Sequence, residues 1–197
     1  VALVVWVVWM TNLFNFMDGI DGLVSTQSTI ATVVLACWFY QEDAPNLVLL
    51  NMTLAGALVG FSFHNWRPAS VFLGDIGSLT LGIYFAVMGI IGWTVYRLPV
   101  EAFMLLYGVM FCDATVTLMV RILRRERWWE AHSSHFYQRL VGLGYNHAQV
   151  TSLAVMVTVC LSIYATLLIH ERGPQWLWIL LGGLTLAGCG LTIKHKE

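Results

Sequence analysis

The chain has 197 residues, of which 58% are hydrophobic and only 11% are charged, and its mean hydropathy is +0.74. Soluble domains carry about 25% charged residues, so this composition excludes a soluble globular domain and indicates an integral membrane protein. The formal net charge of −1 excludes a strongly basic surface, and we therefore expect membrane lipid around the protein and no nucleic-acid partner.

Apolar stretches of membrane-spanning length follow one another along the chain. About 20 apolar residues are needed to cross a bilayer as a helix. The opening "VALVVWVVWM" is shorter than that, so we expect a truncated first span in the C-terminal part of a longer protein. Six full spans are predicted after it, at residues 23–40, 46–63, 78–96, 100–120, 148–169 and 175–193. The predicted fold is an all-α, polytopic helical bundle forming a single domain over residues 1–197.

The basic residues divide unequally between the two sides of this predicted bundle. One side receives eight of the ten Lys and Arg residues: Arg67, Arg121, Arg124, Arg125, Arg127, Arg139, Lys194 and Lys196. Cytoplasmic connectors are enriched in Lys and Arg, so we place this side in the cytoplasm. The connectors on the other side are short, and every polar cluster of interest lies on the cytoplasmic side.

The first polar cluster is "NLFNFMDGIDGL". An amide or an acid recurs there at every third position: Asn12, Asn15, Asp18 and Asp21. Residues three apart are neighbours on a helix, whereas Gly19 and Gly22 weaken a continuous helix, so we expect a bent entrance to the next span. Helix capping at the membrane edge is the alternative. Two acids with two amides exceed what capping requires, and acids beside lipid are costly and usually functional.

The second cluster is "HNWRPASVFLGDIGS", residues 64–78. Asp75 lies between Gly74 and Gly77, just before an apolar stretch. It can cap the following helix. It can also bind Mg²⁺, which takes one or two carboxylates and completes its shell with water and substrate phosphate. Arg67 is expected either to neutralise phosphate or to anchor the chain at the interface.

The third cluster is "RRERWWEAHSSHFYQRL", residues 124–140. His132 and His135 are three residues apart and share a helix face. A third ligand of matching spacing for zinc is missing, so contact with a phosphorylated substrate is favoured, and the arginines are expected to anchor anionic lipid. Asp113 lies inside a predicted span. We expect it to form hydrogen bonds within the bundle, with a role in the site as the alternative.

These three segments, in this order, resemble the polyprenyl-phosphate N-acetylhexosaminyl-1-phosphate transferase family, part of glycosyltransferase family 4 and related to phospho-N-acetylmuramoyl-pentapeptide transferase. The resemblance is carried by "NxxNxxDGxDGL" together with "FLGDIGSLTLG". The segment "HSSHFYQRL" is most similar to the O-antigen-initiating branch. Ser133 departs from that branch, which commonly has a basic residue after the first histidine.

The resemblance implies a reaction and a location. An N-acetylaminosugar 1-phosphate would pass from a UDP-N-acetylaminosugar to undecaprenyl phosphate, with release of UMP, in the first membrane step of O-antigen or other cell-envelope polysaccharide synthesis. The reaction would depend on Mg²⁺, with Mn²⁺ as the alternative. The enzyme would be a multi-pass protein of the bacterial inner (plasma) membrane with its site facing the cytoplasm, and a homodimer is one expected assembly.

The resemblance also assigns roles to residues, with Asp75 as the metal ligand. The catalytic set is Asp75, Asp18, Asp21, His132 and His135. The substrate-binding set is Asn12, Asn15, Asn65, Phe72, Arg67 and Arg139. Within these sets, Phe72 is expected to stack on the base, and Asn15, Asp18 and Asp21 are expected to line the uridine and diphosphate pocket.

One part of the family pattern is missing. The family carries an adjacent Asp-Asp pair on an earlier cytoplasmic loop, and this sequence contains no adjacent pair of aspartates. We expect the pair to lie upstream and these 197 residues alone to be inactive. The alternatives are a polytopic transporter, which the clustering of acids at one face disfavours, and an inactive structural paralogue.

Overall fold

The computed structural model describes residues 1–127, 129–130 and 133–196, and within the last helix it describes side chains as far as residue 190. Over these residues the chain forms helices and no strand. Nine helices follow in order: α1 (Ala2–Met17), α2 (Leu23–Gln41), α3 (Pro45–Asn65), α4 (Gly74–Thr94), α5 (Val100–Leu106), α6 (Gly108–Leu123), α7 (Phe136–Gly142), α8 (His147–Ile169) and α9 (Gln175–Lys196).

Four of these helices, α2, α3, α4 and α8, are long and apolar enough to cross a membrane. The pair α5 and α6 adds a fifth candidate if the two helices form one broken span. α1 and the segment Gln175–Gly190 are apolar but shorter. The predicted all-α polytopic bundle is therefore confirmed, whereas the number of six full spans stays a prediction.

The predicted single span over residues 100–120 is broken, which corrects the sequence-based expectation. α5 ends at Leu106, α6 begins at Gly108, and the two helices meet at 87°. Glycine weakens a helix, and here it also makes room, because a Cβ on Gly108 would lie 2.9 Å from Cδ1 of Leu161. Tyr107 is buried in the core at this corner. The bend gives α6 a direction of its own, different from that of α5.

α1 and α4 pack closely enough to bring their backbones together. A Cβ on Gly82 would lie 2.7 Å from Cα of Thr11, so only a glycine fits at this crossing. The rings of Phe14 and Phe85 stack beside it, with centroids 5.1 Å apart. This register places the end of α1 next to the beginning of α4, where Asp75 lies in the first turn.

Polar side chains join α2 to α8 inside the bundle. The indole N–H of Trp38 donates to Oγ1 of Thr166 at 3.0 Å, and Thr158 forms a hydrogen bond to Gln27. Hydrogen bonds between apolar helices fix their register because lipid offers no competing partner. The start of α8 is therefore held beside the loop that connects α1 to α2.

The close contact of α1 with α4 predicts the effect of a small substitution. Gly82→Ala is expected to lower the thermal unfolding midpoint of the detergent-solubilised full-length protein, at a cost of about 1–3 kcal/mol, because backbone atoms must move to admit the methyl group. Gly56→Ala on α3 is the matched control, since nothing lies within 4 Å of a Cβ there. It should be neutral or stabilising by up to about 1 kcal/mol. Equal midpoints for the two variants would contradict the described packing of α1 on α4.

Candidate functional site

The segment of residues 18–22 between α1 and α2 turns sharply, as the two glycines in the first motif predicted. Gly22 has φ +76°, a left-handed conformation that favours glycine. The side chain of Tyr137 occupies the position that a Cβ on Gly19 would take. Both glycines of the repeated Asp-Gly therefore have a structural reason, and the backbone between them is brought against α7.

Asn15 joins the first polar motif to the second. Its Nδ2 donates to Oδ1 of Asp75 at 3.0 Å and to Oγ of Ser78 at 3.2 Å. Ser78 is fully buried, whereas Asp75 is exposed. The structure thus brings Asn15 of the first motif into contact with Asp75 of the second, whereas the expected ligand contacts of both residues stay predictions. Ser78 was missed by the sequence analysis, although its place one turn after Asp75 in the motif was a usable signal.

Asp18 lies beside this pair at the end of α1. Burial raises the pKa of its carboxyl from 3.8 to about 6, the backbone N–H of Gly74 partly opposes this by donating a hydrogen bond, and the charge of Asp75 raises it further. Within the described parts of the chain, neither Asp18 nor Asp75 forms an ion pair with a Lys, Arg or His. Two carboxylates that repel each other at a half-buried position leave negative charge for a cation to neutralise.

The carboxylates of Asp18 and Asp75 suit Mg²⁺ better than zinc. Among the described residues, no three Cys, His, Asp or Glu side chains converge in a way that could hold a metal. Zinc sites use three or four such protein ligands, so zinc does not fit. Mg²⁺ needs only one or two carboxylates, with water and phosphate as its other ligands. Asp18 and Asp75 match that requirement.

Asp21 is directed to a different partner. Its Oδ1 lies 3.4 Å from Nδ1 of His147, at the start of α8. Its Oδ2 accepts from the backbone N–H of Ala69 at 3.4 Å, and its carbonyl accepts from Oγ1 of Thr151 at 3.0 Å. These contacts tie the α1–α2 loop to α8. His147 was not predicted as a site residue, because nothing in "GYNHAQ" indicates a contact with a residue 126 positions earlier.

Asn65 lies at the end of α3 and is 5% exposed. Its Oδ1 accepts from the backbone N–H of Gly22 at 3.1 Å and from Oγ of Ser25 at 2.8 Å, and its Nδ2 donates to the carbonyl of Val71 at 3.0 Å. The observed contacts hold two loops together. The expected contact of Asn65 with a nucleoside stays a prediction.

The other residues of the predicted substrate-binding set differ in position. Phe72 is 71% exposed on the loop between α3 and α4, and Arg67 is exposed on the same loop. Asn12 donates from Nδ2 to the carbonyl of Val8, one turn back in its own helix. The guanidinium carbon of Arg139 lies 5.1 Å from the ring centroid of Phe136. Ligand contacts of these four predicted residues stay predictions.

His135 is buried and lies immediately before α7, whereas His132 lies outside the described residues. Nδ1 of His135 is 3.1 Å from Oδ1 of Asp113. The ring of Phe16, in the last turn of α1, packs against His135 with centroids 6.2 Å apart. The expected hydrogen bonding of Asp113 inside the bundle is confirmed. The third motif is thereby brought to the last turn of α1, the turn that precedes Asp18.

An apolar cavity of about 390 Å³ lies on the other side of α7. Its walls come from α6, α7, α8 and α9, and Met17 and Leu23 also line it. Asp113 is the only acidic residue lining it in the part of the chain that the structure describes. The polar site therefore lies beside a space that apolar groups can fill.

Comparisons with known proteins agree with this arrangement. Residues 1–93 match the family described as Glycosyl transferase family 4. A probable undecaprenyl-phosphate N-acetylglucosaminyl 1-phosphate transferase of Bacillus subtilis is 29% identical over 135 residues, which are 66% of this chain and 37% of that relative. The phospho-N-acetylmuramoyl-pentapeptide-transferase of Helicobacter hepaticus is 38% identical over 80 residues, covering 41% of this chain and 21% of the relative.

A second phospho-N-acetylmuramoyl-pentapeptide-transferase, from Kosmotoga olearia, is 32% identical over 98 residues, covering 48% of this chain and 30% of the relative. The matched part of this chain thus spans between 21% and 37% of these three relatives. Residues 1–93 include Asn15, Asp18 and Asp75. The motifs, the helical bundle and these matches together support a relationship to glycosyl transferase family 4, whose family model matches residues 1–93 of this chain.

Proposed function

We propose that the protein containing this chain transfers an N-acetylaminosugar 1-phosphate from a UDP-sugar to undecaprenyl phosphate and releases UMP. The observation that carries this proposal is the pair of carboxylates of Asp18 and Asp75, which Asn15 and Gly74 hold at one end of a membrane bundle. The names of the similar proteins, which include undecaprenyl-phosphate and phosphosugar transferases, support the same reaction class.

The residues at the carboxylate pair have separate tasks. Phosphoryl transfer requires that charge on the phosphates be neutralised and that the reacting groups be held in line. Asp18 and Asp75 would hold Mg²⁺, or Mn²⁺ as the alternative, and the ion would supply neutralisation of the diphosphate. Asn15 fixes the orientation of the Asp75 carboxylate through its hydrogen bond to Oδ1. Asp75 is exposed, so its second oxygen can face a ligand.

The loop between α3 and α4 provides groups suited to a nucleotide. The exposed ring of Phe72 offers a flat apolar face for the uracil base. Arg67 on the same loop is exposed and carries a planar guanidinium, whose geometry suits phosphate oxygens. Both residues precede Asp75 by fewer than ten positions, so one loop can contact the base and the phosphates of the same donor.

The acceptor explains why this site belongs to a membrane bundle. A phosphate oxygen of undecaprenyl phosphate would attack the β-phosphorus of the UDP-sugar, and the bond from that phosphorus to the bridging oxygen would break. UMP would leave with the bonding electrons. The prenyl chain stays in lipid throughout, and the apolar cavity of about 390 Å³ beside α7 is suited to apolar groups. We place the site at the cytoplasmic face of the bacterial inner membrane, where UDP-sugars are made available.

A transporter remains the alternative from a different class. Broken helices with acidic residues are typical of transporter sites, and α5 and α6 form such a break. However, Asp113 on α6 accepts hydrogen bonds from the protein itself. The carboxylates that lack a protein cation partner among the described residues lie at the bundle end. This distribution favours a surface-facing enzyme site over a transport path.

Replacing the proposed metal ligand tests the assignment. Asp75→Asn in the full-length protein is expected to reduce Mg²⁺-dependent UMP release by about 100-fold or more, because the amide cannot supply the negative charge that the ion requires. Asp43→Asn, the same chemical change at an exposed position between α2 and α3, should leave release within about twofold, as surface changes away from special features usually do. Retained UMP release in Asp75→Asn would remove Asp75 from the metal site.

The raised pKa of Asp18 predicts that replacing this residue increases stability and reduces activity. The pKa of Asp18 is about 6 in the folded protein and 3.8 in the unfolded chain, so the folded protein binds this proton more tightly. The contribution of the protonated carboxyl to the free energy of unfolding is therefore fully present below pH 3.8 and is lost as the pH rises through about 6. Asp18→Asn carries no charge and still accepts the Gly74 N–H. It should therefore raise the unfolding midpoint at about pH 8, and the gain should shrink at about pH 5.

Unfolding is followed in detergent with EDTA present, so that bound metal does not contribute, and UMP release is measured in parallel with Mg²⁺. The expected result is a more stable variant with reduced release, as is usual where a functional group is held at a cost in stability. A midpoint gain that is the same at both pH values would show that burial of the Asp18 charge is not its cause.

A further inference from the structure

The buried carboxylate of Asp113 accepts hydrogen bonds both from its own helix and from the start of α7. It lies on α6 and is 5% exposed. Its Oδ1 accepts from the backbone N–H of Phe136 at 2.9 Å and from Oγ1 of Thr117 at 3.2 Å, and it lies 3.1 Å from Nδ1 of His135. Its Oδ2 accepts from the backbone N–H of Tyr137 at 3.2 Å. Three of these four donors belong to residues 135–137, so this carboxylate joins α6 to α7.

The backbone N–H groups of α7 that donate to Asp113 have no acceptor within that helix. Phe136 and Tyr137 are the first two residues of α7, and the first N–H groups of a helix have no acceptor within it. The backbone N–H of His135 is satisfied separately, by Oε1 of Gln138 at 3.1 Å. The N-terminal turn of α7 is therefore fixed by one side chain of α6 and one of its own.

The His135 ring is held from several directions. The contact with Asp113 holds the ring at Nδ1. The ring of Tyr137 stacks on His135 with centroids 5.8 Å apart and planes 15° apart, and Phe16 packs against it. The contact at Nδ1 and the neighbouring rings together fix the orientation of the imidazole.

α7 is in turn docked on α1. The hydroxyl of Tyr137 donates to the carbonyl of Phe16 at 3.1 Å and occupies the space over Gly19. Burial raises the pKa of this hydroxyl above its ordinary value, so it stays protonated and remains a donor. Phe16 directly follows Asn15, which orients Asp75. Asp113, His135 and the carboxylate pair are thus connected through the last turn of α1.

We propose that Asp113 is a positioning residue, which holds the ring of His135 and the first turn of α7 against the last turn of α1, near the carboxylates of Asp18 and Asp75, where the phosphate groups of the substrate would bind. This inference rests on the proposed function. It assigns the role to a residue on the broken span, outside the three motifs. Asp113 acts through His135 and through the start of α7, with no contact of its own to the substrate.

The test uses Asp113→Asn in the full-length protein. The amide keeps the size of the side chain but replaces one acceptor oxygen with a donor, so it cannot accept from both His135 and the two backbone N–H groups. The expected effect is a reduction of kcat for UMP release of about 10- to 100-fold, as for other partners that orient a ligating or catalytic histidine. KM for the UDP-sugar should stay within about twofold, since no binding group is removed.

Thr117→Val is the matched control. It removes another hydrogen bond to the same carboxylate, one turn further along α6, and leaves the bonds to His135 and α7 in place. Its kcat should remain within about twofold of the wild type, as expected for loss of a single neutral hydrogen bond away from the reacting groups. An equal loss of kcat in Thr117→Val and Asp113→Asn would show a packing effect of α6 and overturn the proposal.

A double variant separates positioning from general support of the fold. In the His135→Ala background, Asp113→Asn should lower kcat by less than about twofold, because residues that act as a unit are not additive. Asp113→Glu, which keeps both acceptor oxygens, should retain more activity than Asp113→Asn, and it serves in the same cycle if the asparagine variant does not fold. Fully additive losses would overturn the proposal.

Hydrogen exchange supplies a readout that does not depend on activity. Asp113→Asn should increase amide exchange in residues 136–142, by about tenfold for each 1.4 kcal/mol of lost protection, and Thr117→Val should not. Unchanged exchange in Asp113→Asn would overturn the contact itself. A wild-type protein without UMP release would contradict the proposed function and this inference together, whereas an active wild type with an unaffected Asp113→Asn overturns this inference alone.

Discussion

The hydrogen bond from Asn15 to Asp75 is the contact on which the site depends. It joins helices whose residues are 60 positions apart in the chain, and it forms only because Gly82 lets α1 and α4 touch along their backbones. The same approach brings Asp18 near Asp75, and burial of Asp18 together with repulsion from the Asp75 charge raises the pKa of the Asp18 carboxyl. The backbone contact between two helices therefore brings the carboxylates of two separate motifs together, where we propose that a cation binds.

The polar residues at this end of the bundle divide into two groups by their partners. Asp21, Asn65 and Asp113 are engaged with backbone N–H groups and side chains of neighbouring elements. Their hydrogen bonds hold the loops and α7 in place, as buried polar groups with partners generally do. Asp18 and Asp75 instead keep negative charge with no ion-pair partner in the described regions. Such a residual charge costs stability and is retained where a ligand neutralises it.

The break between α5 and α6 determines where Asp113 lies relative to α7. A straight helix over residues 100–120 would carry Asp113 along the direction of α5. The 87° bend gives α6 a different course, and Asp113 on it meets the start of α7. The histidine motif then reaches the end of α1 through Tyr137 and Phe16. The bend between α5 and α6 therefore allows α7 to pack against the last turn of α1, close to the carboxylate pair.

Apolar composition and spacing are local properties of the chain, so the sequence was sufficient to predict the membrane class, the helical bundle and the three polar motifs. The sequence also predicted one site that includes Asn15 and Asp75, through the family resemblance that the order of the motifs carries. It did not reveal that Asp21 turns toward His147, that Asn65 clamps two loops, or that Asp113 holds α7. It also predicted a continuous span where α5 and α6 separate. These points depend on which side chains of distant helices meet across a packed interface, and periodicity along the chain carries no information about such contacts.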